Sequence, residues 1–198
     1  MLHESLQPGV HPGLLSLALM ELAELSKAHP PALAFLRDYR DSAQKLLTSG
    51  EGGMLTAQVF AQINSELGDF DETIRLLDQL PPDDRTRGVL ATVSQEALLD
   101  LQRYEEIVQS RSLATMLSEF ERTASAVSGR ESPAYWDSIL AIGAKNVEAL
   151  VGARRYEEAI VMARTVVEYD GSHAAKKALR TRIIRAGGDA SRFPFLQD

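Results

Sequence analysis

The tightest constraint on this chain is a short pattern that occurs three times: Leu67-Gly68-Asp69-Phe70-Asp71-Glu72-Thr73-Ile74, Leu101-Gln102-Arg103-Tyr104-Glu105-Glu106-Ile107-Val108 and Ala153-Arg154-Arg155-Tyr156-Glu157-Glu158-Ala159-Ile160. Each copy is a tight polar turn, then an aromatic, two acids and an aliphatic residue that begin a new amphipathic helix. Phe70 and Tyr104 stand 34 residues apart, and a fixed period in the thirties marks stacked helical hairpins. The pattern sets an all-α class, an α-solenoid of about five antiparallel helical hairpins.

Composition removes several kinds of function before any site is sought. The 198-residue chain is long enough to bury a sizeable core, and 44% hydrophobic with 25% charged residues is ordinary for a soluble globular protein. A net charge of −7 argues against nucleic acid as a partner for the molecule as a whole. There is no cysteine, so disulfides, thiolate zinc sites and cysteine nucleophiles are excluded; a reducing compartment fits, and we expect the cytoplasm. The most apolar stretch, Leu14 to Leu25, is interrupted by Ser16, Glu21 and Glu24 and falls short of the ~20 residues a membrane span requires. Met1 to Gly13 contains Glu4 and neither Lys nor Arg, unlike a signal peptide.

Along the chain, residues 1–12 read as an irregular arm and 13–188 as the repeat domain, with 189–198 left as a tail. Leu15, Ala18, Leu22 and Leu25 mark a first helix, and Leu33, Leu36, Ala43, Leu46 and Leu47 a second that stops at Gly50, Gly52 and Gly53. The next hairpin joins Met54–Leu67 to Asp71–Leu80, and a third opens with Arg87–Leu99 and turns at Gln102-Arg103. Tyr104 and Tyr156 are 52 residues apart, one period with an added helix. That helix shows as the stripe Leu113, Leu117, Phe120, Ala124 and Val127, ending at a linker from Ser128 to Pro133. A hairpin carrying Trp136 and Tyr156 follows, closed by Asp170-Gly171. Ser172 is placed to cap a last helix, and Gly187-Gly188 to end it.

The Gly68-Asp69-Phe70-Asp71-Glu72 and Arg155-Tyr156-Glu157-Glu158-Ala159-Ile160 turns, the small residues Ala159 and Ala163, and the Asp170-Gly171 exit give a chain that resembles the tetratricopeptide repeat family. The resemblance is clearest over residues 54–108 and 136–188 and weak over 1–53. It implies a right-handed superhelix whose first helices line a concave surface, and a turn aromatic that fills the wedge between adjacent pairs. It further implies a non-enzymatic adaptor or co-chaperone-like scaffold that binds a protein or peptide, extended or helical, in that groove. Mapped onto the first helix of each hairpin, the groove candidates are Gln58, Gln62, Thr92, Glu96, Lys145 and Glu148. Each of these also reads as an ordinary solvated helix position.

Other features carry less chemistry. Gly50-Glu51-Gly52-Gly53 follows a helix rather than a strand and lacks the Lys-Ser/Thr of a phosphate loop, so it reads as a helix stop. His3, His11, His29 and His173 show no metal-ligand spacing, and the acid pairs Glu105-Glu106 and Glu157-Glu158 complement the positive ends of the helices they open. We expect no metal, cofactor or catalytic group. The last helix is the charge anomaly: Lys176, Lys177, Arg180, Arg182 and Arg185 with no acid from Gly171 through Gly188. That basic surface is either the solvated face of a capping helix or a dock for an anionic partner. The apolar first helix is either covered by its neighbours or buries a face against another copy. A structural subunit, self-associating or docking through these two helices, is the alternative to the adaptor. The tail Arg192-Phe193-Pro194-Phe195-Leu196 either folds back over the last helix or serves as a docking motif.

Overall fold

The computed structural model describes residues 12–127 and 133–197. The expected arm through residue 11, the linker over 128–132, His3, His11 and the Trp136 side chain lie outside what is described. Among the described residues all regular structure is helical: α1 Pro12–Ser26, α2 Pro30–Thr48, α3 Met54–Leu67, α4 Phe70–Gln79, α5 Arg85–Val93, α6 Gln95–Asp100, α7 Tyr104–Ser110, α8 Leu113–Val127, α9 Pro133–Gly152, α10 Tyr156–Tyr169 and α11 His173–Arg185, then single 3-10 turns at Ala190–Arg192 and Pro194–Leu196. No helix among these residues is long and apolar enough to cross a membrane.

The three recurring turns share one backbone geometry. Gly68, Gln102 and Arg154 all take the left-handed conformation, with φ of 75°, 57° and 59°. In each, the following residue donates its N–H back across the helix end, Asp69 to Asn64 O at 2.7 Å, Arg103 to Leu98 O at 2.8 Å and Arg155 to Leu150 O at 2.8 Å. These bonds satisfy carbonyls that a helix terminus leaves without partners and aim the next helix back along the first. The arginine before the aromatic then reaches forward one turn: Arg103 bonds Glu106, and Arg155 Nε donates to Glu158 at 2.7 Å. The aromatics themselves diverge. Tyr104 is buried, whereas Phe70 is 48% exposed and fills no wedge.

The chain divides into two compact units, Met1–Ser94 and Gln95–Asp198. The division falls at Ser94, inside the stretch Arg87–Leu99 read from sequence as one helix; there the helix is interrupted, giving α5 and α6.

In the first unit α1 packs on α2 and α3, α2 on α3, and α3 on α4 and α5. Leu36, Leu47, Phe60, Ile63, Leu76 and Leu90 form its core, each at most 1% exposed. Loose carbonyls at the end of α4 are taken by a side chain: Arg87 Nη1 donates to Leu77 O at 2.5 Å and to Leu80 O at 3.0 Å.

In the second unit α9 is the central element and packs against α6, α7, α8, α10 and α11, with α8 also on α10. Small residues make this possible. A Cβ on Gly143 would stand 2.5 Å from Val166 Cγ2 and 3.0 Å from Phe120 Cε2, and one on Gly152 2.1 Å from the Tyr104 ring. So surrounded, Asn146, Val147, Glu148, Ala149, Leu150 and Val151 are all buried in succession, which leaves this part of α9 no solvent face.

Candidate functional site

In the first unit the groove candidates sit on α3 and α5. Gln58 is exposed. Gln62 is committed to packing, since its Oε1 accepts from Ser16 Oγ at 2.9 Å and its Nε2 donates to Ser16 O at 2.9 Å, tying α3 to α1. Thr92 donates to Gly88 O of its own helix at 2.9 Å. Deeper in, Asn64 Nδ2 donates to Thr73 Oγ1 at 2.9 Å and fixes α4 on α3.

In the second unit Glu96 and Lys145 are brought together as an ion pair joining α6 to α9. Beside them in sequence lies a buried polar cluster. Asn146 Oδ1 accepts from Gln95 Nε2 at 3.1 Å and from Arg111 Nη1 at 3.4 Å, and Arg111 also bonds Gln95 Oε1 at 3.1 Å and pairs with Glu119. Asn146, Arg111 and Gln95 were not among the sequence candidates. The signal was present: Asn146 is a polar residue seven positions after Ile139, in phase with the buried stripe of α9.

Glu148 corrects the sequence reading. It is fully buried, so it cannot serve as a solvent-facing groove residue. Its Oε2 accepts from Arg182 Nη1 at 2.7 Å, and Arg185 Nε stands 3.2 Å from Oε1, an ion-pair distance without hydrogen-bond alignment. Arg185 also bonds Asp100 of α6. That bond, and after it the Glu148 charge, hold the Arg185 guanidinium above its ordinary pKa. The Tyr104 hydroxyl is buried nearby; burial first, then the charge of Glu148, raises its pKa against the opposing effect of Arg185.

The basic surface is corrected with it. Two of its five cations, Arg182 and Arg185, are spent on Glu148 and Asp100, and Arg180 Nη1 donates to Leu196 O at 2.8 Å. Lys176 and Lys177 are the members on which no such bond is seen among the described residues. Charge density along α11 is therefore partly an internal binding device, holding α11 against α9 and α6.

Among the described residues no group of three or more His, Asp or Glu side chains is placed to hold a metal ion. Comparison with known proteins gives no match to any family model, curated protein or solved structure.

Proposed function

We propose that the chain is a helical-repeat scaffold of the tetratricopeptide kind, a non-enzymatic adaptor that binds a peptide or helix of another protein along the row of its first helices. The observation that carries this reading is the packing order within each unit: α1, α3 and α5 lie successively side by side, as do α9 and α11, in addition to each hairpin's own pairing. Glu148 and Arg182 are in contact and are 34 residues apart, the interval that separates Phe70 from Tyr104. Contact at one period is what lengthwise stacking of equivalent helices requires. Three joints of one geometry support the same reading.

The test is capture of partners by the immobilised chain from cell extract, compared with Gln58→Arg on the row and with Arg75→Glu on α4 as control. Loss of the captured protein with Gln58→Arg alone supports the groove. Equal capture by all three, or none by the unmodified chain, overturns it.

A further inference from the structure

The aromatic that opens the helix after each recurring turn meets a different neighbour in each copy. Tyr104 is buried, with its ring against Gly152 of α9. Tyr156 is covered by a cation: the guanidinium carbon of Arg192 lies 3.9 Å from the centre of its ring. Phe70 holds the same place in the first copy. It is 48% exposed, and among the described residues no ring or cation is seen against it. The face of an aromatic ring is electronegative and attracts a cation, so the first copy presents openly what the third has already filled.

The charges around the ring differ in the same sense. Residues 103–106 hold Arg103 with Glu105 and Glu106, and residues 155–158 hold Arg155 with Glu157 and Glu158; in both copies the turn's own arginine pairs with the second glutamate. Residues 69–72 hold Asp69, Asp71 and Glu72 and no base. Compensation comes from outside the turn and is incomplete. Arg40 of α2 is shared between Asp69 at 3.1 Å and Asp41 at 2.9 Å, and Arg75 takes Glu72 at 2.7 Å. Four carboxylates, those of Asp41, Asp69, Asp71 and Glu72, thus meet two guanidiniums. Asp71, next to Phe70, is exposed, and no bond to its carboxylate is seen among the described residues.

We propose that Phe70, with the exposed carboxylate of Asp71 beside it, is a docking point for an arginine side chain in a basic segment of another protein. The guanidinium lies on the Phe70 ring as that of Arg192 lies on Tyr156, and its charge answers the local excess of acid. Arginine fits better than lysine, because a planar and weakly hydrated guanidinium stacks on a ring at less cost than an ammonium group. The docking point opens α4, the second helix of its hairpin, and stands apart from the row of first helices. A failed partner capture on that row leaves it standing, and the converse holds.

The experiment is a nuclear magnetic resonance titration of the full chain with a blocked synthetic peptide of alternating glycine and arginine, and with the same peptide carrying citrulline, which keeps the shape of arginine and loses its charge. The amide signals of residues 69–72 should move and saturate with the arginine peptide only. Phe70→Leu should weaken binding about two- to five-fold, the size of an exposed contact between a cation and a ring. Phe35→Leu, at a ring of similar exposure on α2, should leave it unchanged. Asp71→Asn should weaken binding and flatten its dependence on salt. The proposal is overturned by the absence of saturable movement at residues 69–72, by equal binding of the citrulline peptide, or by undiminished affinity of Phe70→Leu. Should Phe70→Leu fail to fold by far-UV circular dichroism, Asp71→Lys takes its place, and undiminished affinity of that variant overturns the proposal instead.

Discussion

The two units solve the same packing problem with different chemistry. In the first, helices are joined by apolar side chains, by neutral pairs such as Asn64–Thr73 and Ser16–Gln62 and by the part-buried pair Arg40–Asp69, while Arg75–Glu72 and Lys27–Glu24 are local and exposed. In the second, ion pairs run between helices far apart in sequence, and one carboxylate, Glu148, is completely removed from water. An apolar face fixes that two helices meet but tolerates sliding; a buried carboxylate with two arginine partners tolerates one register only. Desolvating a charge is costly, and its pairing seldom does more than offset that cost, so Glu148 is best understood as specifying where α11 sits.

Breaking that device should give the largest effect. Arg182→Ala leaves Glu148 buried with Arg185 alone at ion-pair distance, and should lower stability by about 3–5 kcal/mol in chemical denaturation. Arg75→Ala, at an exposed pair in the first unit, should cost no more than ~1 kcal/mol. Equal losses would mean the units are not held differently. Replacing Glu148 and Arg182 together by Leu and Met should recover most of the loss, because no uncompensated charge remains.

Glycine substitutions sharpen the contrast at the next magnitude. Gly152→Ala would drive a methyl into the Tyr104 ring and should cost about 1–3 kcal/mol. Gly88→Ala, inside α5 with nothing within 4 Å of the added carbon, should instead stabilise by about 0.5–1 kcal/mol. Tyr104 offers a spectroscopic check. Its pKa is raised in the folded chain from 10.0, chiefly by burial. The neutral phenol's contribution is therefore complete below the unfolded value and is lost as pH rises through the folded one. Absorbance titration of Tyr104→Phe against the unmodified chain should show Tyr104 as a late-ionising tyrosine, and an ordinary transition would remove it from the buried cluster.

How far the sequence was legible follows from the same physics. The joints were readable because a left-handed turn and its back-bonds, with a forward arginine–glutamate pair at the second and third, are all made within about ten residues of chain. Helix spans such as Met54–Leu67 and Leu113–Val127 followed from apolar spacing for the same reason. Glu148 was not, because local pattern gives a residue's helical phase but not how many neighbours surround the helix. The run Val147–Val151, apolar except for Glu148, was the available warning. Charge density on α11 was visible, yet its partner Asp100 lies 85 residues from Arg185, beyond any local rule. Phe70 and Tyr104 hold the same place in the recurring turn pattern but differ in burial: Tyr104 lies against Gly152 of α9, whereas Phe70 is 48% exposed.

The smallest effect tests the repeat itself. At the shared turn position the first unit has Gly68, while the second has Gln102 and Arg154 at the same positive φ. An L-residue there carries about 1–2 kcal/mol of strain between its Cβ and the neighbouring carbonyl, and glycine removes it. Glycine also widens the unfolded ensemble, which returns roughly half of that gain. Gln102→Gly and Arg154→Gly should each therefore stabilise by a few tenths to about 1 kcal/mol, whereas Gly68→Ala should destabilise by about 1 kcal/mol or more. If the three joints are one structural device, thermal melts will show these signs together. A loss at Gln102→Gly would show that its side chain does something there that glycine cannot, and the equivalence of the turns would hold for the backbone alone.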